Sequence, residues 1–203
     1  MLNVVIAGVG GQGSVLAAKI LAQAAQCKGW HVRTAETIGM AQRGGSVTSH
    51  VRIGSAGEQV EAPLVPRGKA DLIIALEPGE GVRALSFLSS DGLLVSASAV
   101  VPSVTANLAG SVYEARPMLD RLADDAPHFH GVDEGAVCDR VGSRKVANVA
   151  MLAAAVLIGQ RTGFGLGDAI TMDEMAEALK ACVKPRFVDL NLAAVSAVQE
   201  QLS

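Results

Sequence analysis

Hydrophobic positions fall into short solid runs separated by longer segments of helical period, and this alternation organises the whole chain. Val4-Val5-Ile6-Ala7 is an apolar run that stops at Gly8-Val9-Gly10-Gly11-Gln12-Gly13-Ser14, and Val15 to Cys27 follows as an Ala/Leu-rich helical segment. That reads as strand, tight turn, helix. Trp30 to Ala35 alternates as a second strand, and Glu36 to Gly45 is a polar, glycine-bearing loop. Ser46 to Ile53 is β-branched and alternating, a strand with one solvated face. Gly54 to Gly57 predicts a turn into an antiparallel partner around Glu58 to Ala62, after which Pro63 and Pro66 break the chain.

Further strands are expected at Ala70 to Leu76, Gly92 to Ser96 and His128 to Val132, and helices at Gly81 to Leu88 and Tyr113 to Ala123. Ser98 to Leu108 reads as irregular. Arg144 to Arg161 is apolar nearly all round, which means a helix buried between layers. Thr171 with Glu174 makes a capping box opening a helix to Cys182, and a last helix runs from Val188 to Leu202. Strands alternating with helices, plus one hairpin, predict a three-layer α/β/α sandwich: a Rossmann-like, mainly parallel sheet with an antiparallel part, in a single domain over residues 1–203.

Composition narrows the function. Half of the 203 residues are apolar but only 3% are aromatic, so the core is built from Ala, Val, Leu and Ile. A net charge of −3 without basic runs argues against a nucleic-acid partner. The longest apolar stretch, Val146 to Ile158, is too short to span a bilayer, so no membrane partner and a cytoplasmic location are expected. Three widely spaced cysteines without a CxxC encode neither a disulfide framework nor an iron–sulfur cluster. The four histidines share no ligand spacing with them, so no metal site is expected.

Candidate chemistry centres on the first turn. Open N–H groups and partial positive charge at a helix N-terminus suit a phosphate or carboxylate. In such a turn Gly8 permits the reversal, Gly10 lets a ligand approach, and Gly13 lets helix pack on strand. Glu36, about 20 residues on, is placed as a ribose-binding acid would be. Gln42-Arg43-Gly44-Gly45 joins a cation to exposed backbone donors at a loop-to-strand junction, a second anion site or a plain surface loop. Glu77, at the carboxyl end of a strand, is a ligand contact or a helix cap. Asn148, inside an apolar helix, bonds a loop backbone or reaches a ligand. No nucleophile–base pair is visible, and no catalytic residue is assigned.

Two segments together, GVGGQGSVLAAKILAQAA and ETIGMAQRGGSVTSHVRIG, resemble the gamma-type module of the 2-oxoacid:ferredoxin oxidoreductases, in particular the small (beta) subunit type of the indolepyruvate enzymes. The resemblance continues through DLIIALEPGEGVRAL and the Asn148 helix to VDLNLAAVSA. It implies the fold of domain III of pyruvate:ferredoxin oxidoreductase. It further implies a heteromeric enzyme that converts an aryl 2-oxoacid, CoA and oxidised ferredoxin to an aryl-acetyl-CoA, CO2 and reduced ferredoxin. Thiamine diphosphate and [4Fe–4S] clusters would then sit on a larger partner subunit, which would also meet ferredoxin, and this chain alone would hold no cofactor. Gly8, Gly10 to Ser14 and Gln42 to Gly45 would line an interface with CoA or with that partner. Glu36, Glu77 and Asn148 remain secondary candidates. The alternatives are a freestanding NAD(P)- or flavin-binding protein, in which Glu36 selects the ribose, or a non-catalytic nucleotide-sensing subunit.

Overall fold

The computed structural model describes residues 1–39, 44–102 and 113–203. Its centre is a six-stranded sheet of β1 (Leu2–Val9), β2 (His31–Ile38), β3 (Ser46–Gly54), β4 (Ala70–Ala75), β5 (Leu88–Ala97) and β6 (His128–Val132), in the order β2-β3-β1-β4-β5-β6. β3 runs antiparallel to both neighbours, while β1, β4, β5 and β6 pair in parallel. Seven α-helices occur among the described residues: α1 (Ser14–Cys27), α2 (Pro78–Ala84), α3 (Ala115–Asp125), α4 (Glu134–Val141), α5 (Ala147–Thr162), α6 (Met172–Cys182) and α7 (Val188–Gln201).

Alternation along the strands divides the core in two. Val4, Ile6, Val51, Ile53, Leu72, Ile74, Leu93 and Val95 face α1 and α4 to α7, whereas Val5, Ala7, Ile73 and Leu94 face α2 and α3. α5 is buried on almost every side because the sheet lies beneath it and α6 and α7 pack against it. Its run Ala153-Ala154-Ala155 lets those neighbours come close without voids. This three-layer, mainly parallel arrangement is the predicted one.

The antiparallel hairpin is real but lies elsewhere than expected. Gly54 to Gly57 does reverse the chain, yet both edges of β3 are already taken, by β1 (Val5 opposite His50) and by β2 (Ala35 opposite His50). Residues 58–62 therefore form no strand and cross the face of the sheet instead. Side chains there satisfy their backbone: Val60 N–H donates to His31 Nδ1 at 2.8 Å, and Arg33 Nε and Arg52 Nη1 donate to the carbonyls of Val60 at 3.2 Å and Ala62 at 2.8 Å. The hairpin is β2–β3. Strand β2 is also longer than its alternation indicates and carries Glu36 inside it, and α4 arises where no helix was anticipated.

Candidate functional site

The turn between β1 and α1 is held by its own residues. Gly10 N–H donates to Gly45 O at 2.9 Å and Gln12 N–H to Val9 O at 3.0 Å. The Gln12 amide accepts from Val9 N–H at 2.6 Å and donates to Leu76 O at 2.8 Å, tying the turn to the end of β4. Left-handed backbone falls at Gly11 (φ 101°) and Gly13 (φ 85°), not at Gly8, which stays in β1 against Leu76 and Gln12. Gly13 caps α1 with no side-chain hydrogen bond, so the N–H groups of the first turn, from Ser14 onward, have no side-chain cap. Asn148 Nδ2 donates to Gly13 O at 3.0 Å, the backbone-bonding role among the two open for it. A Cβ on Gly13 would lie 2.5 Å from that nitrogen, so this glycine is the point where α5 meets the turn.

A cleft of about 560 Å³ opens beside the turn. Gly11, Gln12, Gly13 and Ala99 to Val101 line it, together with the apolar side chains of Leu16, Leu76 and Met151. It lies outside the carboxyl ends of β1 and β4, where the strand order reverses, the usual ligand position in open α/β sheets. Arg144 and Lys145 line its rim, which sequence reasoning missed. The available signal was that they are the only adjacent basic residues in the chain. Glu134, also in the wall, is 5% exposed, and its carboxylate accepts from Ser98 N–H at 2.9 Å and Ala99 N–H at 3.2 Å. Burial pushes the thiol of Cys138, another residue of this wall, up, which favours its protonated form.

The other candidates are distributed around this cleft. Glu77 is fully buried and caps α2, accepting from Glu80 N–H at 2.9 Å and from Tyr113 OH at 3.1 Å. Burial raises its carboxyl above the ordinary range, and burial together with the Glu77 charge pushes Tyr113 up to about 12. Gly44, Ser46, Glu77, Glu80, Arg83 and Tyr113 surround a smaller cleft of about 230 Å³. Gln42 and Arg43 lie outside the described residues.

Glu36 sits on β2 opposite Ser49 and lines a shallow groove with Val15 and Lys19 on the outer flank of α1. Because β3 is inserted between β1 and β2, Glu36 is two strand spacings, roughly 10 Å, from β1. A ribose-selecting acid requires β2 directly beside β1, and this topology does not supply that. Among the described residues no group of three or more His, Cys, Asp or Glu side chains is placed to hold a metal ion, and no helix is long and apolar enough to cross a membrane.

Comparison with known proteins decides the family. The family model described as pyruvate ferredoxin/flavodoxin oxidoreductase matches residues 3–201. The chain belongs to this family. Over nearly its full length it is similar to a protein of Archaeoglobus fulgidus named indolepyruvate oxidoreductase subunit IorB, with 39% identity over 96% of this chain and 92% of the relative. A protein of the same name from Thermococcus kodakarensis is 32% identical, with 98% and 97% covered. The fold matches the crystal structure of a keto/oxoacid ferredoxin oxidoreductase gamma subunit from Geobacter sulfurreducens, with a TM-score of 0.68 at 22% identity over 99% of this chain and 98% of that one.

Gly11 and Gln12, the two residues between Gly10 and Gly13, each have a structural reason: Gly11 takes a left-handed φ of 101°, and Gln12 braces the turn with its side chain. The Gln12 side chain links Val9 N–H to Leu76 O, at the end of β4, the parallel neighbour of β1. The Gly10 N–H to Gly45 O bond then joins the turn to the start of β3, the strand that displaces β2.

Proposed function

We propose that this chain is the small subunit of a heteromeric, thiamine-dependent 2-oxoacid:ferredoxin oxidoreductase that decarboxylates an aryl 2-oxoacid such as indolepyruvate oxidatively to its acyl-CoA. The observation that carries this reading is the likeness, over nearly the whole of both chains, to relatives named as subunits of indolepyruvate oxidoreductase. Its donor set favours a division of labour. A [4Fe–4S] cluster takes four thiolates, whereas this chain has three cysteines, on separate elements, one of them buried. Clusters and thiamine diphosphate are therefore assigned to a larger partner, through which ferredoxin is met, in the cytoplasm.

Thiamine diphosphate supplies the carbanion chemistry when bound to that partner. The role of this chain is to bind and orient CoA at the shared active site. The first-turn N–H groups of α1, held open by Gly11 and Gly13, offer donors to an anionic group, and Leu16, Leu76 and Met151 exclude water beside them. Gln12 and Asn148 keep those donors aimed. Gly10 N–H donates to Gly45 O, which joins this turn to the Gln42–Gly45 segment, and Arg43 is the residue of that segment proposed to meet an anionic group of CoA or of the partner. The displacement of Glu36 from β1 disfavours the freestanding dinucleotide-binding alternative.

The test is reconstitution. The larger subunit, assayed anaerobically for viologen reduction with indolepyruvate, phenylpyruvate, pyruvate or 2-oxoglutarate, should need this chain and CoA and prefer the aryl acids. Full CoA-dependent activity without this chain would refute the assignment, and a preference for pyruvate would refute the substrate class.

A further inference from the structure

The cleft beside the glycine turn carries a cationic wall that the turn itself does not supply. Arg144 and Lys145 both line it and both are exposed, on the one-turn 3-10 helix Arg144–Val146 that leads into α5. That turn is fixed by Ser143, whose hydroxyl accepts from Lys145 N–H at 3.3 Å, and anchored beneath by fully buried Val146. Among the described residues Glu134 is the only acidic one lining the cavity, and its carboxylate is engaged by the Ser98 and Ala99 N–H groups, so backbone donors offset its charge. Arg144 Nη2 lies 3.1 Å from Asp139 Oδ1, with side chains 69% and 70% exposed. An ion pair that open to water contributes little and exchanges readily for a better anion.

We propose that Arg144 and Lys145 are the phosphate-binding residues of this cleft. They hold a phosphate of CoA at the rim while Leu16, Leu76 and Met151 receive its uncharged arm. The planar guanidinium fork matches a phosphate in two contacts and the ammonium adds a mobile third. Both cations line the same cleft as Gly11 to Gly13, so a phosphate bound there has positive charge and backbone donors within one cavity. A cavity of about 560 Å³ is of the size that takes a ligand of this class. The proposal rests on the CoA-handling role above and identifies the residues that carry it.

The experiment is calorimetric titration of the full-length chain with CoA and with dephospho-CoA, comparing wild type, the double variant R144Q/K145Q and the control K180Q. Lys180 is a surface cation paired with Glu177 and lies outside the cleft. The double variant should bind CoA about tenfold or more weakly, since two charged donors are removed, and K180Q should match wild type. An equal loss with dephospho-CoA assigns the diphosphate to this wall, and a loss confined to CoA assigns the ribose phosphate; either result upholds the proposal. No CoA binding by the wild-type chain, wild-type affinity in R144Q/K145Q, or an equal loss in K180Q overturns it. Failure of the subunit reading is separately visible, as absence of CoA-dependent oxoacid oxidation in the reconstituted complex.

Discussion

Gly13→Ala probes the joint between the glycine turn and the buried helix. Gly13 has φ 85°, where an L-residue with a Cβ is strained by roughly 1–2 kcal/mol. The new methyl would also stand 2.5 Å from Asn148 Nδ2 and 3.1 Å from its Cγ. Asn148 is 5% exposed, so its amide can yield only by turning away and giving up the bond to Gly13 O. That bond contributes about 1 kcal/mol. Leu16 and Ala17 N–H still serve the Gly13 carbonyl, so that oxygen is not left without a partner. The total is a loss of about 2–3 kcal/mol, or roughly 4–12 °C in Tm for a chain of this size. Urea unfolding of wild type, G13A, N148A and the double variant measures it. Because N148A removes both the obstacle and the bond, the double variant should cost less than the sum of the singles by about 1 kcal/mol. Strict additivity, or a G13A cost below about 0.5 kcal/mol, would refute the claim that these two residues form the joint.

Other substitutions have equally definite expected outcomes. Gln12→Leu leaves Val9 N–H and Leu76 O without their partner and should cost about 2–3 kcal/mol in a urea melt. Glu77, whose folded-state carboxyl is raised by burial, penalises the fold at neutral pH. As pH falls through its raised value toward the ordinary carboxylate range, the folded state takes up a proton before the unfolded one, so wild type should gain stability there relative to E77Q. Glu174, held low first by its bond to Lys28, acts oppositely: its contribution is lost only as pH falls below the ordinary value, and E174Q should converge with wild type in acid unfolding. Glu36→Gln should leave the KM for CoA within about twofold, whereas Arg43→Ala should raise it or weaken assembly, both read in the viologen assay.

What the sequence made legible divides along local and non-local lines. The strand–turn–helix at the N-terminus, the buried helix around Asn148 and the Thr171 capping box rest on local patterns, and each forms as read. The hairpin was misplaced because Gly54 to Gly57 is a local turn signal, while pairing is settled by which edges of β3 are free, and β1 and β2 occupy both. Helix α4 carries its own punctuation, an Asp133 cap donated to by Ala136 N–H and a left-handed Gly142 at its end, but eight residues show too little periodicity to stand out. In the site, Asn148 was recognisable as unusual, yet its partner Gly13 lies 135 residues away and no spacing rule connects them. Arg144 and Lys145 became site residues only when the fold carried the start of α5 to the carboxyl end of β1.

The most direct test of the central claim is anaerobic affinity purification of this chain from its native host, with identification of co-purifying proteins and cofactors and an assay of CoA-dependent viologen reduction by 2-oxoacids. A larger subunit bearing iron–sulfur clusters and thiamine diphosphate should co-purify, in a complex active on aryl 2-oxoacids. A lone chain, inactive in that assay and carrying NAD(P) or a flavin, would contradict that claim.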